Sequence, residues 1–408
     1  MSPKCKNVFL SILIFAIVFV TYAMAIRGHW FAIDDLGEIL NGRINSWKDF
    51  IRVFTSDMRF FSKAYNYNFP QPNFISGFMR PMQHIFLTVI YNLFGTNPDA
   101  FGLLHVLFHS LNATIIFTLF RKWLPLSLSC FGSLLFAFYP DTTWLTWLCT
   151  LQSSLMLFFL LLSIVTFLPL IKKTSNLLSY PRFYIAGFFF LCSLLSRENP
   201  VFFAVWPFCF FILFSKSKYG FASKIVSAFQ RSSIFFITLA TYVALRIYAF
   251  GFESIGRTFN NLFFRFLFLK KIFSTPGSTK LLSQIDSAKN LITSTAEKTT
   301  TITAVATAKL QPSNILNKIT YTFFEWSRRI FNLPHQEINQ KLVLIVLSLL
   351  TILFLIYAYN KRHRLLFFLF SGILLLIWPC ILVYPDVRYM NVAYPLFIFM
   401  VLIGIENI

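Results

Sequence analysis

The chain has 408 residues, of which 57% are hydrophobic and only 12% charged, with 54 phenylalanines; soluble domains carry about a quarter charged residues, so the composition argues against a soluble enzyme, a disordered protein and a disulfide scaffold. The apolar residues come in long blocks, not in alternating segments of about ten, which favours an all-α polytopic membrane protein over a β-barrel. Basic residues number 36 against 15 acidic ones, a net +21, and they fall between the apolar blocks without the aromatic interleaving of a nucleic-acid module; membrane lipid headgroups and lipid-linked phosphates are the expected partners, and nucleic acid is not.

Lys4 and Lys6 precede an apolar run over 8–26. It is longer than a signal-peptide core of about 7–15 residues, so it reads as an uncleaved first span with a cytoplasmic N-terminus. A polar stretch, 27–80, follows as a first outer loop. Within it, Leu36, Ile39, Leu40, Ile44, Trp47, Phe50, Ile51 and Phe54 recur at helical spacing, which predicts one helix over 36–54 lying on the membrane surface. The apolar segment 81–95 is short and predicts a second interfacial or half-inserted helix. Further spans are expected over 100–120, 124–139, 143–171, 182–196, 200–215 and 232–250. A second large outer loop, 251–340, contains a Thr-rich tract at 292–308. Spans over 342–359, 365–383 and 391–405 complete a count of about ten. Short loops assigned to the cytoplasm carry Lys or Arg, while the short outer turns carry Asp141, Glu198 and Asp386. That agrees with the positive-inside rule. Five of the six cysteines sit in apolar stretches, no CxxC occurs, and they read as packing residues.

Several constellations could carry chemistry. Asp34 and Asp35 stand just past the first span, at headgroup level. One could act as general base on an acceptor hydroxyl, or both could help hold a divalent cation; either also suits the N-cap of an amphipathic helix. Arg80 precedes Pro81, a residue that opens helices, and could bind a phosphate or snorkel to headgroups. His84 follows it. His105 and His109 lie four apart on the second span. That spacing could serve a metal, but no acid follows in a zincin pattern, which favours hydrogen-bonded packing. The outer turns offer Asp141, Glu198 and Asp386 with Arg197 and Arg388; Arg388 beside Tyr389 could grip a lipid phosphate. The second large loop adds Glu325, Trp326, Arg328, Arg329 and His335.

In succession, these motifs resemble a known family. Asp34-Asp35-Leu36-Gly37-Glu38-Ile39-Leu40-Asn41 is similar to the Asp-Asp segment of the transmembrane O-mannosyltransferases that carry tetratricopeptide repeats. Gly77-Phe78-Met79-Arg80-Pro81-Met82 resembles that family's Tyr-Arg-Pro-Leu region. Asn92-Leu93-Phe94-Gly95 through Asn97-Pro98 to His109-Ser110-Leu111-Asn112-Ala113 is similar to its next helix. Ser196-Arg197-Glu198 resembles Ser-Lys-Glu, and Arg388-Tyr389 resembles a late Glu-Arg-Tyr. His105 stands where the family often has Asn, Asp386 lies two residues before Arg388 rather than Glu directly before it, and the repeat domain has no counterpart. The resemblance implies a GT-C glycosyltransferase: one transmembrane bundle over 1–408, a polyprenyl-phosphate-linked sugar as donor, and a glycan, lipid or protein as acceptor. It implies Asp34 and Asp35 as the catalytic pair. Arg80, His84, His105, His109, Asp141, Glu198, Arg388 and Tyr389 are the expected substrate-binding residues, at the outer face of a bacterial inner (plasma) membrane. Two alternatives remain: a lipid-linked glycan polymerase or ligase acting through Arg328, Arg329 or His335, and a transporter or flippase, toward which Arg246 inside the 232–250 span leans.

Overall fold

A computed structural model describes residues 2–28, 31, 35, 38–39, 43–55, 79–138, 148–173, 177–214, 221–251, 395, 398–400 and 402–403. Asp34, Asp141, Asp386, Arg388 and Tyr389, most of the 251–340 loop, and the expected spans over 342–359 and 365–383 lie outside the described residues.

Helices dominate, and no strand occurs among the described residues. They are α1 (Pro3–Ala25), α2 (Trp47–Thr55), α3 (Pro81–Phe94), α4 (Pro98–Phe120), α5 (Leu126–Ala137), α6 (Leu151–Phe167), α7 (Pro181–Ser196), α8 (Val205–Phe214) and α9 (Phe221–Phe250). Many begin where the sequence signals a start. Pro occupies the first turn of α1, α3, α4 and α7, where its missing N–H costs nothing. Asn97 caps α4 by accepting from the Asp99 N–H at 3.0 Å. Ser2 does the same for α1 through Cys5 N.

Among the described residues, four helical stretches are long and apolar enough to cross a membrane: Cys5–Ala25, Pro98–Phe120, Leu151–Ile171 and Ala222–Phe250. Three shorter apolar ones occupy Leu126–Ala137, Pro181–Ser196 and Asn199–Phe214. These seven fall where seven spans were expected, but α5 is only about 18 Å long, short of a ~30 Å hydrocarbon core. On α1, Val8, Phe9, Ile12, Leu13, Ile17, Val20 and Met24 are all exposed. Ile14 and Val18 bury one face of this helix in the core, and a helix that is apolar all round but covered on one face only needs lipid beside the rest.

Side-chain bonds fix the antiparallel order. Gly28 N–H donates to Asp99 Oδ1 at 3.3 Å, joining the end of α1 to the start of α4. Arg121 Nε donates to Asn7 Oδ1 at 3.4 Å at the opposite end of the same pair. Between α6 and α7, Ser193 Oγ donates to Met156 O and Ser163 Oγ to Ala186 O, each at 2.8 Å. Thr238 Oγ1 on α9 reaches Gly187 O at 3.4 Å. Buried hydroxyls that return their proton to a carbonyl are cheap in an apolar bundle. The core between these helices is built largely from phenylalanine; Phe235 on α9 meets Phe167, Phe190 and Phe203 in edge or tilted contacts.

The order sorts the acids by end. All five among the described residues, Asp35, Glu38, Asp49, Asp99 and Glu198, lie at one end together with Arg27, Arg43, Lys48, Arg52, Arg80, Arg197 and Arg246; the other end carries Lys6, Arg121, Lys122, Lys173, Arg182, Lys224 and Arg231 and no described acid.

Candidate functional site

The acidic end begins just after α1. Asp35, Glu38 and Ile39 are helical and buried, at 1%, 6% and 1% exposure. Their spacing of three and four residues puts them on one face. That face is turned inward: Ile39 packs with Leu87, Phe101, Leu104 and Leu151. Glu38 Oε2 accepts from Gln83 Nε2 of α3 at 2.5 Å. The segment is stitched down further along. Ile44 N–H donates to Thr88 Oγ1 at 3.1 Å, and Arg43 lies 4.0 Å over the Tyr91 ring. Phe31 meets Phe101.

The single surface helix expected over 36–54 is interrupted. Residues 43–45 are not helical, and a new helix, α2, starts at Trp47. The reason is a capping box. Asp49 N–H donates to Ser46 Oγ at 3.2 Å and Ser46 Oγ–H to Asp49 Oδ2 at 2.9 Å. Asn45 N–H reaches the same carboxylate at 3.2 Å. Ser46-Trp47-Lys48-Asp49 carries the signal in sequence; the apolar periodicity running across it masked it.

Arg80 stands at the head of α3 with 6% exposure. Its neighbour on the first turn, His84, is buried as well. Burial, and then the nearby positive charge of Arg80, bring the His84 imidazole down to about 4, so it is neutral at pH 7. Across the end, α7 stops at Ser196. Arg197, 3% exposed, has an extended backbone there and donates Nη1 to Ser153 Oγ on α6. Glu198 follows in the turn. Burial pushes its carboxyl up, but the charges of Arg80, Arg246 and Arg197 together outweigh that and hold it below the usual carboxylate range. Arg246, four residues before the end of α9, donates Nη1 to Tyr242 Oη at 3.0 Å. Arg80, Arg197 and Arg246 thus all act electrostatically on Glu198.

The two histidines of α4 diverge. His105 Nε2 is 2.9 Å from Ser154 Oγ on α6. His109 Nε2 donates to Ala137 O at 3.0 Å, where Tyr22 Oη also donates at 2.7 Å. They tie α4 to different neighbours and do not point at a common ion. Asn112 Nδ2 donates to Ser154 O at 3.0 Å, continuing the polar seam between α4 and α6. Asp35, Glu38 and Asp49 are the described acids of the first loop, and among the described residues no group of three or more His, Cys, Asp or Glu could hold a metal ion.

Sequence reasoning missed three members of this region. Gln83 stands three residues after Arg80 on α3 and holds Glu38. Ser153 holds Arg197. Tyr242 stands four residues before Arg246 on α9 and accepts its proton; that spacing was readable, but nothing in the sequence shows that α9 meets the turn after α7. No protein-family model, curated protein or solved structure matches the chain.

Proposed function

We propose that the chain is an integral-membrane glycosyltransferase of the GT-C type. It moves a sugar from a polyprenyl-phosphate donor to an acceptor hydroxyl on a glycan, lipid or protein, at the extracytoplasmic face of a bacterial inner membrane. In this reading the four long and three shorter apolar helices are the first seven of about ten spans, and the basic end is cytoplasmic. The observation that carries the reading is the buried carboxylate of Asp35, sharing the acidic end of the bundle with the buried arginines Arg80 and Arg197.

The chemistry needs those two things on one side of the membrane. Asp35, with Asp34 beside it in sequence, takes the proton of the acceptor hydroxyl. The freed oxygen pair attacks the anomeric carbon on the face opposite the phosphate, so configuration inverts. The bond from that carbon to the phosphate oxygen breaks, and its electron pair leaves on the lipid phosphate. Arginine stabilises the charge that develops there. General-base assistance of this kind contributes about 10²–10⁴-fold.

The test is transfer from a labelled polyprenyl-phosphate sugar in membranes containing each variant. Asp35→Asn and Asp34→Asn are expected to lower the rate by about 10²-fold or more, with unchanged membrane insertion. A double variant that transfers at the full rate excludes the assignment. The transporter reading asks for ionisable residues at mid-membrane; Arg246 instead stands near the end of α9, grouped electrostatically with Arg80, Arg197 and Glu198.

A further inference from the structure

The end of the bundle without a described acid gathers cations around the connection from α6 to α7. Arg231 on α9 donates Nη2 to the carbonyls of Ile171 and Lys173, at 2.8 and 2.6 Å. Its guanidinium carbon lies 4.2 Å from the centre of the Phe211 ring on α8. Carbonyls and ring orient this cation and leave its charge in place. Lys173, whose own carbonyl Arg231 holds, places Nζ 5.8 Å from the centre of the Tyr180 ring. Tyr180 is the N-cap of α7, and Arg182 follows two residues on, in the first turn, with at most about 7 Å between their Cα atoms. Contacts thus run unbroken from Phe211 through Arg231 and Lys173 to the start of α7.

Folding accounts for one of these three cations. Arg231 meets carbonyls at the C-terminal end of the Leu151–Ile171 stretch, where positive charge is favourable. Lys173 and Arg182 are exposed and have no described acid at their end of the bundle. A cation in the first turn of α7 even opposes the helix dipole. Beside them begins an apolar strip: Tyr184, Ile185 and Phe188 of α7 are 53, 44 and 61% exposed. Ile185 stands three residues after Arg182 and three before Phe188, so the strip continues the side of the helix on which Arg182 lies. Cations at the head of an uncovered apolar strip match a molecule with an anionic head and hydrocarbon tails.

We propose that this end of the bundle binds one anionic phospholipid of the surrounding leaflet. Lys173 and Arg182 meet its phosphate, and a chain lies along Tyr184, Ile185 and Phe188. Arg231 adds its charge and pins the connection that carries Lys173. The bound lipid joins the α6–α7 connection to the first turn of α7, a contact that the protein's own side chains do not make with an acid there. Neither the proposed reaction nor the direction of the chain across the membrane enters into this site.

Binding is read on the purified full-length protein in detergent, by native mass spectrometry. The probes are phosphatidylglycerol and phosphatidylcholine with matched chains, with water-soluble glycerol phosphate as competitor. Phosphatidylglycerol is expected to bind about tenfold or more tightly than phosphatidylcholine. Lys173→Gln and Arg182→Gln, both at exposed positions, should each lower that preference about fivefold, and the double variant should abolish it. Lys6→Gln serves as control. Lys6 is an exposed cation of the same end, but it belongs to α1, which packs against α4 and α5, and its loss should leave the preference unchanged. A wild-type protein without preference, or a double variant that keeps it, overturns the site. So does an equal loss from Lys6→Gln, which would reveal a diffuse basic surface. Displacement by equimolar glycerol phosphate overturns the lipid assignment, because the apolar strip then contributes nothing.

Discussion

His84 lies 2% exposed next to Arg80 at the start of α3, and burial followed by that neighbouring charge brings its pKa from 6.5 to about 4. As pH falls, the unfolded chain takes up a proton near 6.5 and the folded protein only near 4. Stability from this group is therefore complete above pH 6.5 and is lost progressively between 6.5 and 4, by up to about 3 kcal/mol. Thermal unfolding in detergent should drop across that window, and His84→Gln should flatten the corresponding part of the curve. An unchanged pH profile in the variant would show that other groups set it. The Gln83 bond to Glu38 makes a second prediction. Gln83→Ala removes a donor from a buried carboxylate, at a cost of about 1.5–3 kcal/mol, read as a fall in Tm at constant pH. At this scale the sequence nominated Asp35, Arg80 and Glu198, because carboxylates and arginines flanking apolar spans are conspicuous. It was silent about Gln83, 45 residues from Glu38, and Ser153, 44 from Arg197. Pairings at such distances exist only once the helices have packed.

Among the elements, Gly187 on α7 shows how closely the helices approach. A Cβ there would collide with Ile234 Cγ1 on α9 and lie 3.2 Å from Thr238 Oγ1. Gly187→Ala should cost about 1–3 kcal/mol through overpacking. Combining it with Ile234→Ala should destabilise less than the sum of the two single changes, measured by thermal unfolding. Strict additivity would place the strain elsewhere. For α2, Ser46→Ala removes the cap and should cost about 1 kcal/mol, visible as faster amide exchange over Trp47–Thr55. Helix starts were readable wherever Pro or a capping side chain marks them, as at Pro81, Pro98 and Pro181. The start of α9 was not. Its helix begins at Phe221, eleven residues before the expected span at 232. Hydropathy reports what sits in lipid, and a helix that continues into the headgroup region with Lys224, Gln230 and Arg231 leaves no apolar signal. The shortness of α5 was equally hidden, since apolar residues continue beyond Ala137, where Tyr22 and His109 cap the last carbonyl.

For the molecule as a whole, one end holds every described acid and the other only cations, and the proposed function reads that asymmetry as a direction across the membrane. With all six native cysteines replaced by Ser, single cysteines at Trp47, Lys122 and Lys173 should divide under a membrane-impermeant maleimide in intact cells. Trp47→Cys should label from outside, and Lys122→Cys and Lys173→Cys only after permeabilisation. The reverse pattern would put Asp35 on the cytoplasmic side and remove the proposed donor. The class of protein was open to sequence reading because apolar blocks about twenty residues long have few alternatives. How the four long and three shorter apolar helices pack was not, since lipid-facing and protein-facing residues are here equally apolar. The buried serines that join α6 to α7 look the same in sequence as serines bonded within their own helix.

Along α9, Arg231 and Arg246 are separated by fifteen residues, a rise of about 22 Å. A hydrocarbon layer is ~30 Å thick. Arg231 gives its Nη2 protons to the carbonyls of Ile171 and Lys173, which anchors that level of the helix in the fold. Unless the bilayer thins alongside, Arg246 stands below the headgroup plane, where Tyr242 Oη accepts its proton in place of water. A lipid lying against this end of the helix then meets a cation below the level at which headgroup phosphates otherwise float.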